Sequence, residues 1–258
     1  MTHSPEYRRI LNKMGYYNYH NALIKRHLNQ DGGWDSHLEN CRNFIMRALD
    51  FHKPSKVTVL GSGWLLDLPV AEMVENNTKI ILVDIIHPPE VINQTGSLGN
   101  IELIEDDITG GLIKEVWDES RRHSFFNPFK SLENISVPEY TPDYDPGMVI
   151  SLNLLTQLEY LLTNFLKKKS EIKEEEFSQF KSEIQKKHID FLKKHNSVLI
   201  SDVTEIITNK SGTVAATPTL MTNLPPCRFS EEWSWNFDRA GSDYFNTRSL
   251  LKVVALTF

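Results

Sequence analysis

The chain has 258 residues, 40% hydrophobic and 24% charged, with a formal net charge of −6. That composition suits one globular α/β domain, or one with an appendage, and argues against a broad electrostatic grip on nucleic acid. No stretch approaches the roughly eighteen apolar residues of a membrane span, and the first residues hold no apolar leader core. The two cysteines, Cys41 and Cys227, suggest neither a disulfide framework nor a zinc site, so a reducing cytoplasm is the expected compartment.

In chain order, "PEYRRILNKMGYYNYHNALIKRHL" has helical apolar spacing with Gly15 as its break. "DSHLENCRNFIMRALDFHKP" predicts a helix opened by a capping box of Ser36 and Glu39 and ended by Pro54. Residues 1–54 therefore read as an N-terminal helical extension and residues 55–258 as the main domain. There "KVTVLG", "KIILVDI", "NIELIEDDI", "GMVISLN" and "SVLISDVTEI" read as strands. Helices are predicted over "LLDLPVAEMVEN", with Pro69 in its first turn or kinking it, and over "LLTQLEYLLTNFLKK" and "EEEFSQFKSEIQKKHIDFLKKH". This alternation implies a doubly wound, mostly parallel α/β sheet covered by helices on both faces. "EEWSWNF" and "SLLKVVALTF" have no helix between them, so they should add an antiparallel C-terminal hairpin, giving seven strands. Arg122 to Pro146, with four prolines, is a long loop insertion: a lid or substrate-contacting segment, or a surface decoration.

The chemistry-bearing residues sit at the ends of these strands. Gly61-Ser62-Gly63 closes the first strand, where missing side chains allow a tight turn and close ligand approach. A helix following directly would aim its N-terminus at the turn and attract anionic groups. Asp84 ends the second strand, twenty-one residues after Gly63 and just before Ile85. A carboxylate there can accept both hydroxyls of a ribose, which marks an adenosine-containing ligand. Asp107 ends the third strand, where it either accepts an adenine amino group, with Ile108 packed on the ring, or serves as a turn residue. A dinucleotide site needs a third glycine at position 66, which is Leu66. Asn153 follows the fourth strand and either faces the reacting group or caps the next helix. His87, the tyrosines of "YYNY" (Tyr16 to Tyr19) and the strand pair Trp233 and Trp235 are further candidates, with solvation or core packing as the alternatives.

On these residues the chain, from Val57 to Phe258, resembles the class I Rossmann-like S-adenosylmethionine-dependent methyltransferases. "VLGSGWL" is similar to that family's glycine-rich first motif, Asp84 to its ribose acid, "EDDIT" with Asp107 to its adenine-contacting segment, and "VISLNLLTQL" to its fourth motif. The terminal hairpin also fits. The resemblance implies S-adenosyl-L-methionine held by Gly61, Ser62, Gly63, Asp84, Ile85, Asp107, Ile108 and Asn153, with Asn153 nearest the methyl group. It implies methyl transfer to a small molecule or a protein side chain. Two positions depart from the family: Leu60 stands where an acid precedes the first glycine, and Leu65 where a third glycine is usual. The Asn/Asp-Pro-Pro-aromatic signature of amine and amide methylation is replaced by "SLNLL". A protein that binds the cofactor without chemistry and an NAD(P)-binding oxidoreductase are the alternatives.

Overall fold

The structure, a computed structural model, describes residues 2–75, 78–123, 130–168, 170–241 and 247–258. The described helices are α1 (Pro5–Met14), α2 (Tyr16–Leu28), α3 (Asp35–His52), α4 (Val70–Glu75), α5 (Pro89–Thr95), α6 (Leu112–Arg121), α7 (Tyr160–Lys167) and α8 (Glu174–Leu192). The strands are β1 (Lys56–Leu60), β2 (Lys79–Asp84), β3 (Ile101–Glu105), β4 (Met148–Leu152), β5 (Ser197–Asn209), β6 (Gly212–Pro218), β7 (Phe229–Asp238) and β8 (Arg248–Thr257). They form one sheet in the order β3-β2-β1-β4-β5-β8-β7, with β6 paired on β5. Strands β1 to β5 are parallel, and β8 runs antiparallel to both β5 and β7.

This is the doubly wound sheet that the apolar runs predict, with its C-terminal antiparallel pair. The chain order reverses between β1 and β4, the place where such sheets open a crevice at their carboxyl ends. Two apolar clusters flank the sheet. One holds α3 and Met73 against Val57, Val59 and Ile200; the other holds α1, α6, α7 and α8 against Leu60, Val149 and Leu199.

Several expectations need correction. Among the described residues the sheet has eight strands rather than seven, because β5 runs on past a bulge at Asp202/Thr204 and folds back as β6. β6 is nearly all exposed and has no apolar alternation to announce it. The helix after the glycine turn starts only at Val70. Leu65 has φ +60°, a left-handed conformation, and Pro69 disfavours helix in the residue before it. The turn therefore does not receive a helix N-terminus. The capping box also fails: α3 begins at Asp35, before Ser36, and its start carries no side-chain cap. Residues 155–159 are turns rather than helix, so Asn153 caps nothing and has φ +49°.

Residues 124–129 of the predicted insertion lie outside the described residues. Its described part, 130–146, has Leu132, Ile135, Val137 and Tyr140 buried against the helical face of α6 and α8. None of residues 130–146 lines the crevice.

Candidate functional site at the carboxyl edge of the sheet

The crevice runs along the carboxyl ends of β3, β2, β1 and β4, and holds about 1110 Å³ of empty space, its open mouth included. Gly61, Gly63, Asp84, Ile85, Asp107, Ile108 and Asn153 all line it. Ser62, between the glycines, is buried just behind, and its hydroxyl has no partner among the described residues.

Gly61 is required by packing. It has φ +79°, and a Cβ there would meet Leu152 O and Leu154 Cβ at 3.0 Å. Gly63, at φ +51°, faces open space, with Gly61 O the nearest atom at 3.9 Å. Its N–H donates to Asp84 Oδ2 at 2.7 Å, which ties the turn to the acid on the neighbouring strand. Asp84 Oδ1 accepts from Ile85 N–H at 2.7 Å and from His20 Nε2–H at 3.2 Å. Burial opposes ionisation of Asp84, but His20, His87 and the Gly63 N–H outweigh it and hold the carboxyl below its usual range. Three of roughly four lone-pair sites on this carboxylate are thus already used.

Asp107 has a different role. Its Oδ1 takes both the N–H and the hydroxyl of Thr109, and its Oδ2 takes Tyr7 Oη–H at 2.9 Å and Ile113 N–H at 3.3 Å. These bonds tie Asp107 to the turn into α6 and to α1, while it also lines the crevice. Asp106, next to it on the lining, accepts Tyr140 Oη–H at 2.8 Å.

The N-terminal helices lie over this edge. His3 donates to Ile85 O, Arg8 pairs with Glu105, Tyr7 reaches Asp107, and His20 reaches Asp84. Tyr16 and Tyr19 line the crevice, and Tyr16 and Tyr17 also pack against the core beneath it. Trp64 donates its Nε1–H to His20 O at 3.1 Å and fastens α2 to the glycine turn. His87 is buried, within 3.1 Å of Ile104 O, and does not line the crevice.

At the β4 end lies a group that the sequence reading missed. His37 and Cys41, one turn apart on α3, meet Asp67 from the turn after Gly63 and Asn153, the residue just after β4. Asn153 Nδ2 is 2.7 Å from Asp67 Oδ2 and 3.1 Å from His37 Nε2. The metal-capable atoms of His37, Cys41 and Asp67 lie within 4.8 Å of one another. The one clue in the sequence was His37 four residues before Cys41. A metal on His37 Nε2 would require the ring proton on Nδ1. Trp233 Nε1–H, which can only donate, approaches Nδ1 at 3.0 Å, so Nδ1 accepts and the proton is on Nε2. Trp235 stacks on the ring at 3.8 Å. Burial lowers His37 to about 3 and raises the Cys41 thiol well above its usual range, while burial pushes Asp67 up to about 6 against the pull of Asn153 and Arg42.

No family model and no curated protein matches the chain. Two solved structures are similar in outline. One is the Burkholderia thailandensis 1,6-didemethyltoxoflavin-N1-methyltransferase with bound 1,6-didemethyltoxoflavin and S-adenosylhomocysteine, 11% identical, with a TM-score of 0.45 over 100% of this chain and 92% of that one. The other is DhpI in its SAH complex, 10% identical, with a TM-score of 0.37 over 96% of this chain and 97% of that one. Likeness at this level transfers neither a ligand nor a reaction. No helix among the described residues is long and apolar enough to cross a membrane.

Proposed function

We propose that the protein transfers a methyl group from S-adenosyl-L-methionine to a small-molecule acceptor. The observation that carries this reading is the convergence of Gly63 and Asp84: a side-chain-free turn and a buried carboxylate, 2.7 Å apart, at the switch point of a parallel sheet. That pairing suits an adenosine, with Asp84 accepting ribose hydroxyls and the open face of Gly63 admitting the chain beyond. Asn153 Oδ1, without a partner among the described residues, is a further group able to hold it. Ile85 and Ile108 offer apolar contact to the base. Asp107 is committed to the protein, so its contribution is to shape the wall.

When bound, the sulfonium supplies an electrophilic methyl group. The chain's own contribution is to orient the two reactants and exclude water, worth several kcal/mol. The strand ends of residues 55–258 carry the adenosine side of this site, and α2 and α3 of the N-terminal extension complete its walls. A ribose diol needs the lone pair that His20 now takes, so ligand and His20 compete for Asp84.

Isothermal titration with S-adenosylhomocysteine tests the reading. Asp84→Ala should weaken binding at least about tenfold, the loss of one charge-assisted hydrogen bond. Unchanged affinity in a folded variant removes Asp84 from the site, and no binding by the unaltered protein removes the reading itself.

A further inference from the structure

Beyond the expected adenosine end, the crevice turns apolar and aromatic. Its walls there are Tyr19 and Ile24 of α2, Trp34, Leu38 of α3, Leu161 of α7 and Trp235 of β7. The polar groups on this side converge at one place, the Asp67–Asn153–His37 cluster. We propose, building on the methyl-transfer reading, that Asp67 is the catalytic proton acceptor for a flat, uncharged aromatic or heteroaromatic substrate bearing an O–H or N–H. The topology sets the order. Strand β3 carries the adenosine wall, β2 and β1 carry Asp84 and the glycine turn, and β4 with α3 carries the cluster, so the acceptor lies past Asn153.

The assignment follows from which groups can take a proton. His37 Nδ1 is filled by the Trp233 N–H and its Nε2 already bears hydrogen, so the ring has no free site. Burial also keeps this ring neutral. The Cys41 thiol is buried and holds its proton. Asp67 remains, in a carboxylate environment made by Asn153 just after β4, His37 and Cys41 from α3, and Arg42, whose guanidinium donates to Leu66 O in the same turn.

The hydrogen bonds around Asp67 also have two arrangements on the same heavy atoms, and in the first the Asn153 Nδ2 and His37 Nε2–H face each other donor to donor at 3.1 Å. With Asp67 ionised, the Asn153 amide N–H donates to it, the His37 N–H has only Cys41 Sγ at 3.5 Å, and Asn153 Oδ1 is left without a partner. With Asp67 protonated, the amide turns over. Its oxygen then accepts from both Asp67 and His37 Nε2–H. Arrival of a proton thus satisfies a His37 donor that was poorly matched before. In the reaction the methyl carbon replaces hydrogen on the acceptor's oxygen or nitrogen. The sulfur keeps the carbon–sulfur electron pair, and the displaced proton passes to Asp67 and then to water.

The test uses the full chain loaded with S-adenosylhomocysteine and three probes: 7-hydroxycoumarin, 8-hydroxyquinoline and lumazine. Binding is read by tryptophan quenching and probe absorbance. At least one probe should bind below about 1 mM, and a lysine-containing peptide should not. The absorbance titration of the bound probe should shift by about one pH unit or more between the unaltered protein and Asp67→Asn, because an ionised neighbour disfavours the probe anion. Turnover of any methylated probe should rise with pH through about 6 and fall at least about 100-fold in Asp67→Asn. Affinity of that variant for S-adenosylhomocysteine should stay within about threefold, whereas a larger loss of cofactor affinity would put Asp67 on the cofactor and overturn the assignment. No probe bound, or identical bound-probe titrations in the two proteins, also overturns it. Failure of the unaltered protein to bind S-adenosylhomocysteine instead sinks the methyl-transfer reading.

Discussion

Replacing Asp67 by Asn should stabilise the protein, and the gain should depend on pH in a calculable way. The Asp67 carboxyl is pushed by burial up to about 6 in the fold, against about 3.9 for an exposed aspartate. The folded state therefore binds a proton that the unfolded chain releases between those values, so stability falls as pH rises across that window and is level above it. Integrating that linkage, the raised Asp67 value lowers stability, relative to the fully protonated limit, by about 1 kcal/mol near pH 4.5 and about 3 kcal/mol near pH 7.5. An Asn keeps an acceptor for the Asn153 N–H and carries no charge to desolvate. Urea unfolding of both proteins, followed by tryptophan fluorescence at several pH values, should show the variant ahead by those amounts. Other buried carboxyls with raised values, Asp107 and Glu159, cancel in the difference. A variant that is less stable near pH 7.5, or a difference that does not move across the range, would refute the desolvation of Asp67 as its controlling influence. Stability gained where turnover is lost is the expected signature of a group kept for chemistry.

Three further outcomes follow from the site. Leu65→Gly should relieve a left-handed backbone worth about 1–2 kcal/mol but empty the space of a buried leucine worth about 2–5 kcal/mol, so thermal melting should show a net loss; a higher melting temperature would contradict this. Asp107→Asn should lower stability by about 1–3 kcal/mol through its bonds to Tyr7, Thr109 and Ile113, yet move S-adenosylhomocysteine affinity less than Asp84→Ala does; titration showing the reverse ranking would return Asp107 to the ligand. His20→Ala frees a lone pair on Asp84 and should strengthen S-adenosylhomocysteine binding by up to about tenfold, whereas weaker binding would make His20 part of the ligand's own shell.

Legibility in the sequence followed the range over which each feature is encoded. The parallel strands are short apolar runs, and a run that buries both faces announces itself locally. Gly61, Gly63 and Asp84 were legible because one turn and one strand end set their positions. Asp107 was ambiguous since a strand-end acid serves a ligand or a turn equally well, and only the Thr109 and Ile113 N–H groups decide it. The α4 start was misjudged because apolar periodicity extends back across Leu65, whose backbone conformation no pattern reveals. Asp67, His37, Asn153 and Trp233 come from four separate stretches, and no spacing rule links them. The covering of Asp84 by His20 spans sixty-four positions and belongs to packing alone.

The contact between Tyr7 and Asp107 bridges one hundred positions of chain. During synthesis the first two helices leave the ribosome well before β3 and the start of α6 exist to receive them. They must wait, amphipathic and unseated, until the third strand has joined the sheet. Helices α1 and α2 thus find their places only after strands far along the chain have formed.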